Sequence, residues 1–272
     1  MKHRPTDIDR DTAAQLKALR VLPRPVYGHA LALPNRAIQR SHSHSWAQLS
    51  YAVQGVLEVT TAMGRFVAPP LRAVWIPAGM PHGVRCSKNT EIRSLYIDGD
   101  RAPVAGGACR VLVVGTLLRE LIRAFSAVPI EYDELGPDGR LATVLLDQLA
   151  CAPEAGLMLP WPRDARLRKL CGGLQAHPDS RKTLLLFSRE LGVSDKTLSR
   201  LFRQQTGLSF RLWRQRSRLL SALPLLERGD RVTDVALACG YESMSAFVAA
   251  FRAQMGVTPG EFFPAARAIS LQ

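Results

Sequence analysis

Between Thr183 and Pro259 the chain carries one short pattern twice, and that repetition restricts the possible folds of this half more than its composition does. Ser188-x-x-x-Gly192 followed by Leu198-x-x-x-Phe202 returns as Ala236-x-x-x-Gly240 followed by Phe247-x-x-x-Phe251. Each copy supplies a small residue where two helices cross closely, a glycine for the turn, and two apolar residues one helical turn apart to seat the second helix. Gly207 and Gly256 close the copies, and Val257-Thr258-Pro259-Gly260 stops the second. In the first copy Leu198, Leu201 and Phe202 share a face while Lys196, Ser199, Arg200 and Arg203 point elsewhere, and Ser194 precedes them as an N-cap. Two short helices across a glycine turn, the second with a basic outer face, predict a helix-turn-helix. The second copy has one more turn residue, since Phe247 lies seven past its glycine and Leu198 six. Residues 209–229 between the copies read as a helical connector with Phe210, Trp213, Leu220 and Leu223 on one side. Pro224 lacks an N–H, so it predicts a kink or an end in that connector and unsettles the spacing of the two units.

Charge is concentrated where this pattern lies. Of the net +13, residues 163–272 hold 18 Lys/Arg against 9 Asp/Glu, and residues 1–162 hold 18 against 14. From Lys196 to Arg218 there are seven basic residues and no acidic one. Such a run is either a solvated face or a surface that tracks phosphates, and its overlap with the paired helices favours the second.

The doubled pattern, closing in GYESMSAFVAAFRAQMGVTPGEF, resembles the DNA-binding domain of the AraC/XylS family of bacterial transcription regulators over roughly the last hundred residues. The resemblance implies two recognition helices entering successive major grooves on one face of promoter DNA, with RNA polymerase as a further partner. Ser194, Lys196, Thr197, Ser199 and Arg200 then take the outward positions of the first helix. Arg200 suits a guanine, because its planar fork matches O6 and N7 together. Lys196 reaches a base or a phosphate, and Arg203 and Arg214 hold the DNA backbone. The second helix is poorer, offering the Ser243 and Ser245 hydroxyls, a thymine-methyl contact from Met244 and a phosphate contact from Arg252. Ala249 stands where family members commonly present a large polar or basic residue, which predicts weaker direct readout there.

From Val21 the texture is different: short alternating runs separated by Gly and Pro, which predict a small β-barrel or sandwich. Within it, His42-x-His44-x-x-x-Gln48, then Gly55, then Pro77-x-Gly79-x-x-His82, resembles the two motifs of cupin barrels. Gln48 replaces the usual Glu of metal-binding cupins and Cys86 an often-found Asn. In the resembled regulators such a barrel binds the effector. His42 and His44 alternate along an expected strand and so face one side, where a strand-borne His82 meets them. Three imidazoles suit a divalent Zn, Fe, Ni or Mn ion, whereas the neutral Gln48 weakens a site for hard ions. A bound divalent metal and a polar, effector-facing pocket are both open readings. Trp46, Tyr51 and Trp75 either line that pocket or belong to the core.

From Gly115 the period becomes helical, with Leu117, Leu118, Leu121, Ile122 and Phe125 on one stripe and Leu141, Val144, Leu145, Gln148 and Leu149 on another. These helices cover the barrel's open face or form a homodimer contact. The expected organisation is therefore a two-domain α+β chain. It has a lead-in (1–20), a cupin-like sensor barrel with covering helices (21–105 and 106–152) and a Pro/Gly-rich linker (153–162). An all-α tandem helix-turn-helix domain (163–263) and a tail (264–272) follow. No apolar run is long enough for a membrane span, the N-terminus has no secretory h-region, and five scattered cysteines fit buried thiols in a reducing cytoplasm. The function expected is an effector-responsive, sequence-specific transcription regulator with no catalytic residues. Its rivals are a metal-dependent cupin enzyme carrying a DNA-binding tail and an architectural DNA-binding protein.

Overall fold

A computed structural model describes residues 21–32, 41–87, 90–104 and 106–263; the expected lead-in and tail lie outside them. The chain divides into two compact units, the second comprising Ala62–Arg65 and everything from Leu159 onward. The division falls inside the stretch expected as a linker, part of which is a strand, Met158–Pro160.

Among the described residues there are nine short strands, most of them in the first unit: β1 (Val26–Ala32), β2 (Ala47–Gln54), β3 (Leu57–Thr60), β4 (Gly64–Ala68), β5 (Arg72–Ile76), β6 (Gly83–Cys86), β7 (Glu91–Ile97) and β8 (Arg110–Val113), with β9 (Met158–Pro160) at the division. They form a five-stranded sheet, β1-β7-β2-β5-β8, and a four-stranded sheet, β6-β3-β4-β9. Strand β8 is a departure from expectation, because its residues fall in the segment read as helical. It pairs with β5 from Arg72↔Val113 to Trp75↔Arg110 and forms the edge of the larger sheet.

Alternation sorts the side chains of that sheet. Ala47, Leu49 and Tyr51 of β2, with Trp75, Leu95 and Ile97, meet two helices, α1 (Thr116–Phe125) and α2 (Pro137–Ala150). The helices contribute Leu118, Leu121, Ile122, Phe125, Ala142, Leu145 and Leu149 to this core. Their buried stripes are narrower than expected, since Leu117 is 55% and Val144 44% exposed. Gly28 of β1 has no room for a side chain, because a Cβ there would stand 2.3 Å from the Phe125 carbonyl oxygen at the end of α1. On the opposite face Gln48 and Ser50, paired with Tyr96 and Ser94, are also buried, so β2 runs through the interior with a polar stripe on one side.

The second unit is helical: α3 (Ala165–Ala176), α4 (Leu184–Glu190), α5 (Asp195–Thr206), α6 (Phe210–Glu227), α7 (Val232–Ala238), α8 (Met244–Met255) and α9 (Pro259–Phe262). The connector α6 does not end at Pro224, which lies in its last turn. Only three helical residues follow it, so the ladder forfeits little there. Buried Trp213 anchors α6 by donating its indole N–H to the Pro160 carbonyl at 2.7 Å.

Candidate nucleic-acid interface and effector pocket

The two helix-turn-helix units, α4–α5 and α7–α8, are built by the same local chemistry. Gly192 and Gly240 take left-handed φ values of +64° and +77°. Behind them the Val193 N–H reaches the Ser188 carbonyl at 3.0 Å, and the Tyr241 N–H reaches Ala236 at 2.9 Å. Ser194 and Ser243 cap the second helices, each hydroxyl accepting an N–H three residues on at 3.2 Å. Leu198 and Phe202 in one unit, and Phe247 and Phe251 in the other, are fully buried. Each pair sits in an aromatic cluster: Phe202 against Phe210 and Trp213, and Phe247 against Tyr241 and Phe251.

With those faces buried, the remainder of α5 is turned outward. Ser194, Lys196, Thr197, Ser199, Arg200 and Arg203 are all exposed. On α8 and its cap, Ser243, Met244, Ser245, Ala249 and Arg252 are exposed as well. Part of its hydrogen-bonding capacity is used internally: the Ser243 and Ser245 hydroxyls lie 3.0 Å apart, and the Thr233 hydroxyl donates to the Met244 sulfur at 3.5 Å.

Arg214 is placed differently from expectation. It is half-buried, and Nη1 donates to the Lys182 carbonyl at 2.7 Å. Burial and the nearby Arg218 charge lower its pKa. A guanidinium used this way braces the loop before α4. Arg218, which the sequence did not single out, does the same for the preceding loop, donating to the Pro178 carbonyl at 2.9 Å and Ser180 at 3.2 Å. It also lies over the Tyr241 ring, 5.8 Å from the centroid. Gln205 of α5 accepts the N–H groups of Arg163 and Asp164, both at 2.8 Å, which ties the first recognition helix to the start of α3. Partners distant in the chain leave no sequence pattern, so nothing marked Arg218 and Gln205, or the bracing role of Arg214, in advance.

In the first unit His42, His44 and His82 come together, although not as strand residues. His42 and His82 form an isolated antiparallel bridge, each N–H donating to the other's carbonyl at 2.9 Å, just before β2 and β6 respectively. The ring centroids are 4.3 Å apart for His42–His82, 5.2 Å for His44–His82 and 6.1 Å for His42–His44. One ring nitrogen from each lies within 4.8 Å of the others. His44 Nδ1 contacts the Trp46 carbonyl at 2.7 Å and His82 Nδ1 the Met80 carbonyl at 2.8 Å. A carbonyl only accepts, so both Nδ1 atoms carry hydrogen and both Nε2 atoms carry the lone pair when the rings are neutral. His82 is fully buried and its Nε2 has no hydrogen-bond partner. Burial, and then the two neighbouring imidazoles, lower the His82 pKa to about 4, and burial lowers that of His44. The lowering favours the neutral form of the His44 and His82 rings.

The other expected pocket residues divide. Gln48 belongs to the group, with Oε1 2.8 Å from His44 Nε2 and Nε2 donating to Ser50 Oγ at 2.8 Å. Trp46 stacks on His44 at 5.3 Å and 8°, and Tyr96 closes on both rings edge-on at 6.1 Å. Tyr51 and Trp75 are not in this pocket: strand parity turns them to the opposite face, into the core under α1 and α2. Tyr51 there borders a cavity of about 530 Å³ with Arg93, Arg119 and Arg123, whose guanidinium groups already pair with Glu91 and Glu120.

The donor set fits a divalent ion of borderline softness. Three imidazoles converge, two are oriented through Nδ1–H bonds to backbone carbonyls as metal-bound histidines are, and one lone pair is buried without a partner. Among the described residues no carboxylate joins the cluster, so nothing there favours a hard ion. The cysteines offer no alternative: Cys86 and Cys109 are pushed up to about 12 by burial, and the exposed Cys151, contrary to the expectation of buried thiols, lies outside the histidine group.

A model of an AraC-like ligand binding domain matches residues 25–182, and a helix-turn-helix domain model matches residues 187–265. The chain is similar to the HTH-type transcriptional regulator NimR of Escherichia coli strain K12, at 32% identity over 231 residues, covering 85% of this chain and 84% of that one. It is also similar to the HTH-type transcriptional activator RhaR of Klebsiella pneumoniae, at 33% identity, covering 39% of this chain and 38% of RhaR. The DNA-binding domain of AdpA, solved in complex with a target DNA, is 30% identical and covers 40% of this chain and 99% of that chain, with a TM-score of 0.36. The ligand-binding model spans more than half of the chain and NimR aligns along most of it, so this chain belongs to the AraC family of transcriptional regulators, joining an AraC-like ligand-binding domain to a helix-turn-helix domain.

Proposed function

We propose that this regulator binds promoter DNA through α5 and α8 in successive major grooves, and that an effector held by the barrel changes how it does so. The observation that carries the reading is the matched pair of helix-turn-helix units, each with its apolar residues buried and its outer face exposed. Arg200, Lys196, Thr197 and Ser199 read bases from α5, while Ser194 and Arg203 hold phosphates. The second helix reads less, through Ser243, Ser245 and a methyl contact from Met244, with Arg252 on a phosphate. Arg214 acts indirectly, by bracing the loop before α4.

His42, His44, Gln48, His82 and Trp46 form the effector pocket. The coupling is the difference in effector affinity between two states of the protein. Homodimerisation through the outer faces of α1 and α2, where Leu117 and Val144 are exposed, contact with RNA polymerase and a cytoplasmic location complete the proposal. The protein is not an enzyme in this reading: among the described residues the histidine cluster has no carboxylate to act as acid or base. Among the described residues no helix is long and apolar enough to cross a membrane. Selection of bound duplexes from a random pool, with and without candidate effectors, tests the proposal. It expects one enriched sequence whose affinity responds to an effector; a sequence-blind pool would favour an architectural protein instead.

A further inference from the structure

We infer that the first unit carries a second small-molecule site, on the helix-covered face of the larger sheet, which takes an organic monocarboxylate with an apolar body. The site is the cavity of about 530 Å³ that Tyr51 borders, a volume suited to a small organic molecule. Strand parity separates it from the histidines, because Tyr51 packs with the α1 side chains and Gln48 and Ser50 face the other way. Two irregularities of the backbone supply its apolar wall. The Arg72 N–H donates to the Pro69 carbonyl at 3.1 Å, closing a turn with Pro70 second and Leu71 third. Leu71 has φ +63°, the left-handed position that a type II turn normally gives to glycine. Among the described residues no other non-glycine has a positive φ. Core packing does not offset that strain, since the Leu71 side chain is 46% exposed; it lines the cavity instead. Val53 arrives by another route. Ala52 pairs with Ile92 and Gln54 with Glu91, so Val53 is the extra residue of a bulge, and its exposed side chain lines the same cavity.

The rest of the lining carries charge in unequal amounts. Arg93 Nη2 donates to Glu91 at 2.6 Å and Arg119 Nε to Glu120 at 2.9 Å, while Arg123 Nη1 lies 3.7 Å from the other Glu120 oxygen. Three guanidiniums thus share two carboxylates, which leaves one positive charge unmatched. Among the described residues the terminal nitrogens of Arg119 and the whole fork of Arg123 donate to no protein acceptor. A planar fork holds a carboxylate through two parallel bonds, and one carboxylate balances the excess charge. A ligand with two or more negative charges would face Glu91 and Glu120 without compensation, so the charge count selects a monoanion. Leu71 and Val53 then cover a ring or branched chain attached to it.

The test titrates the full-length chain by calorimetry with 3-phenylpropionate, cyclohexanecarboxylate and 4-methylpentanoate, and with acetate and the neutral 3-phenylpropanamide as controls. At least one of the three acids should bind once per chain. Acetate, which lacks the apolar body, and the amide, which lacks the charge, should be at least about tenfold weaker. Arg119→Gln and Arg123→Gln should each weaken the bound acid about 5- to 20-fold. Leu71→Gly should weaken it about 5- to 10-fold without lowering the melting temperature, because glycine takes the left-handed backbone without strain. Binding by none of the three acids, or equal binding of 3-phenylpropionate and its amide, overturns the inference. An affinity unchanged in both Leu71→Gly and Arg119→Gln also overturns it, by placing the acid elsewhere. Sequence-selective DNA binding by a chain that takes none of these acids overturns this site alone and leaves the regulator reading intact.

Discussion

Gly192 and Gly240 hold the same place in the two helix-turn-helix units, but an added methyl meets different surroundings. At Gly192, φ +64°, a Cβ would have nothing within 4 Å. Alanine there therefore suffers mainly from the left-handed backbone, roughly 1–2 kcal/mol, partly offset by a stiffer unfolded chain. At Gly240, φ +77°, the same Cβ would stand 2.6 Å from Arg218 Nη2, 2.7 Å from Asp179 Cα and 2.8 Å from the Pro178 oxygen. Two of those atoms are backbone and cannot swing aside. Overpacking adds about 1–3 kcal/mol, and displacing Arg218 from its carbonyl acceptors adds more, so Gly240→Ala should cost about 3–5 kcal/mol against about 1 for Gly192→Ala. Hydrogen exchange of the full-length chain, resolved by peptide, reads this locally. Amides of α7 and α8 in Gly240→Ala should exchange about 150- to 5,000-fold faster than wild type, and those of α4 and α5 in Gly192→Ala about 3- to 10-fold faster. Equal effects at the two sites would refute the packing of Arg218 and the 178–180 loop against the second turn.

Phe247→Ala empties a fully buried site in the second unit and should cost about 3–5 kcal/mol, with loss of α8 protection and of DNA binding together. Asp164 caps α3, and its hydrogen bond to Arg166, helped by the N–H groups of Arg166 and Leu167, holds its carboxyl at about 2. Its folded pKa is depressed, so its stabilisation is complete above pH 4 and is lost as pH falls towards 2; Asp164→Ala should lower stability by about 1 kcal/mol at pH 7 and by less at pH 2 in denaturant melts. Arg203→Ala should weaken selected and random duplexes alike and reduce the slope of log K against log salt by about one.

The helix-turn-helix pair was legible because its determinants are local: a left-handed glycine, a serine cap and two apolar residues one turn apart act within about a dozen positions. Seven of the barrel strands were legible as alternating runs between turns. What sequence could not supply was parity across the fold. Whether Gln48 or Leu49 faces the polar interior depends on where α1 and α2 pack, and that choice sends Tyr51 and Trp75 away from the histidines. Strand β8 was missed because its apolar run is short and only Gly115 separates it from the following helix. Arg214, read from sequence as a DNA-backbone contact, and Arg218, not singled out, brace loops whose carbonyls lie more than thirty residues away in sequence, which no local pattern reveals. The convergence of His42, His44 and His82 was expected on strand geometry, but a bridge between two strand entrances produces it.

The central claim is that α5 reads base sequence from its exposed face. The most direct measurement is the affinity of wild type and Arg200→Ala for a duplex selected from a random pool and for its scrambled counterpart, at fixed salt. The predicted result is a wild-type preference of at least about 10³, reduced by about 10- to 100-fold in Arg200→Ala while the scrambled duplex changes little. No preference in the wild type, or equal losses on both duplexes, would contradict it.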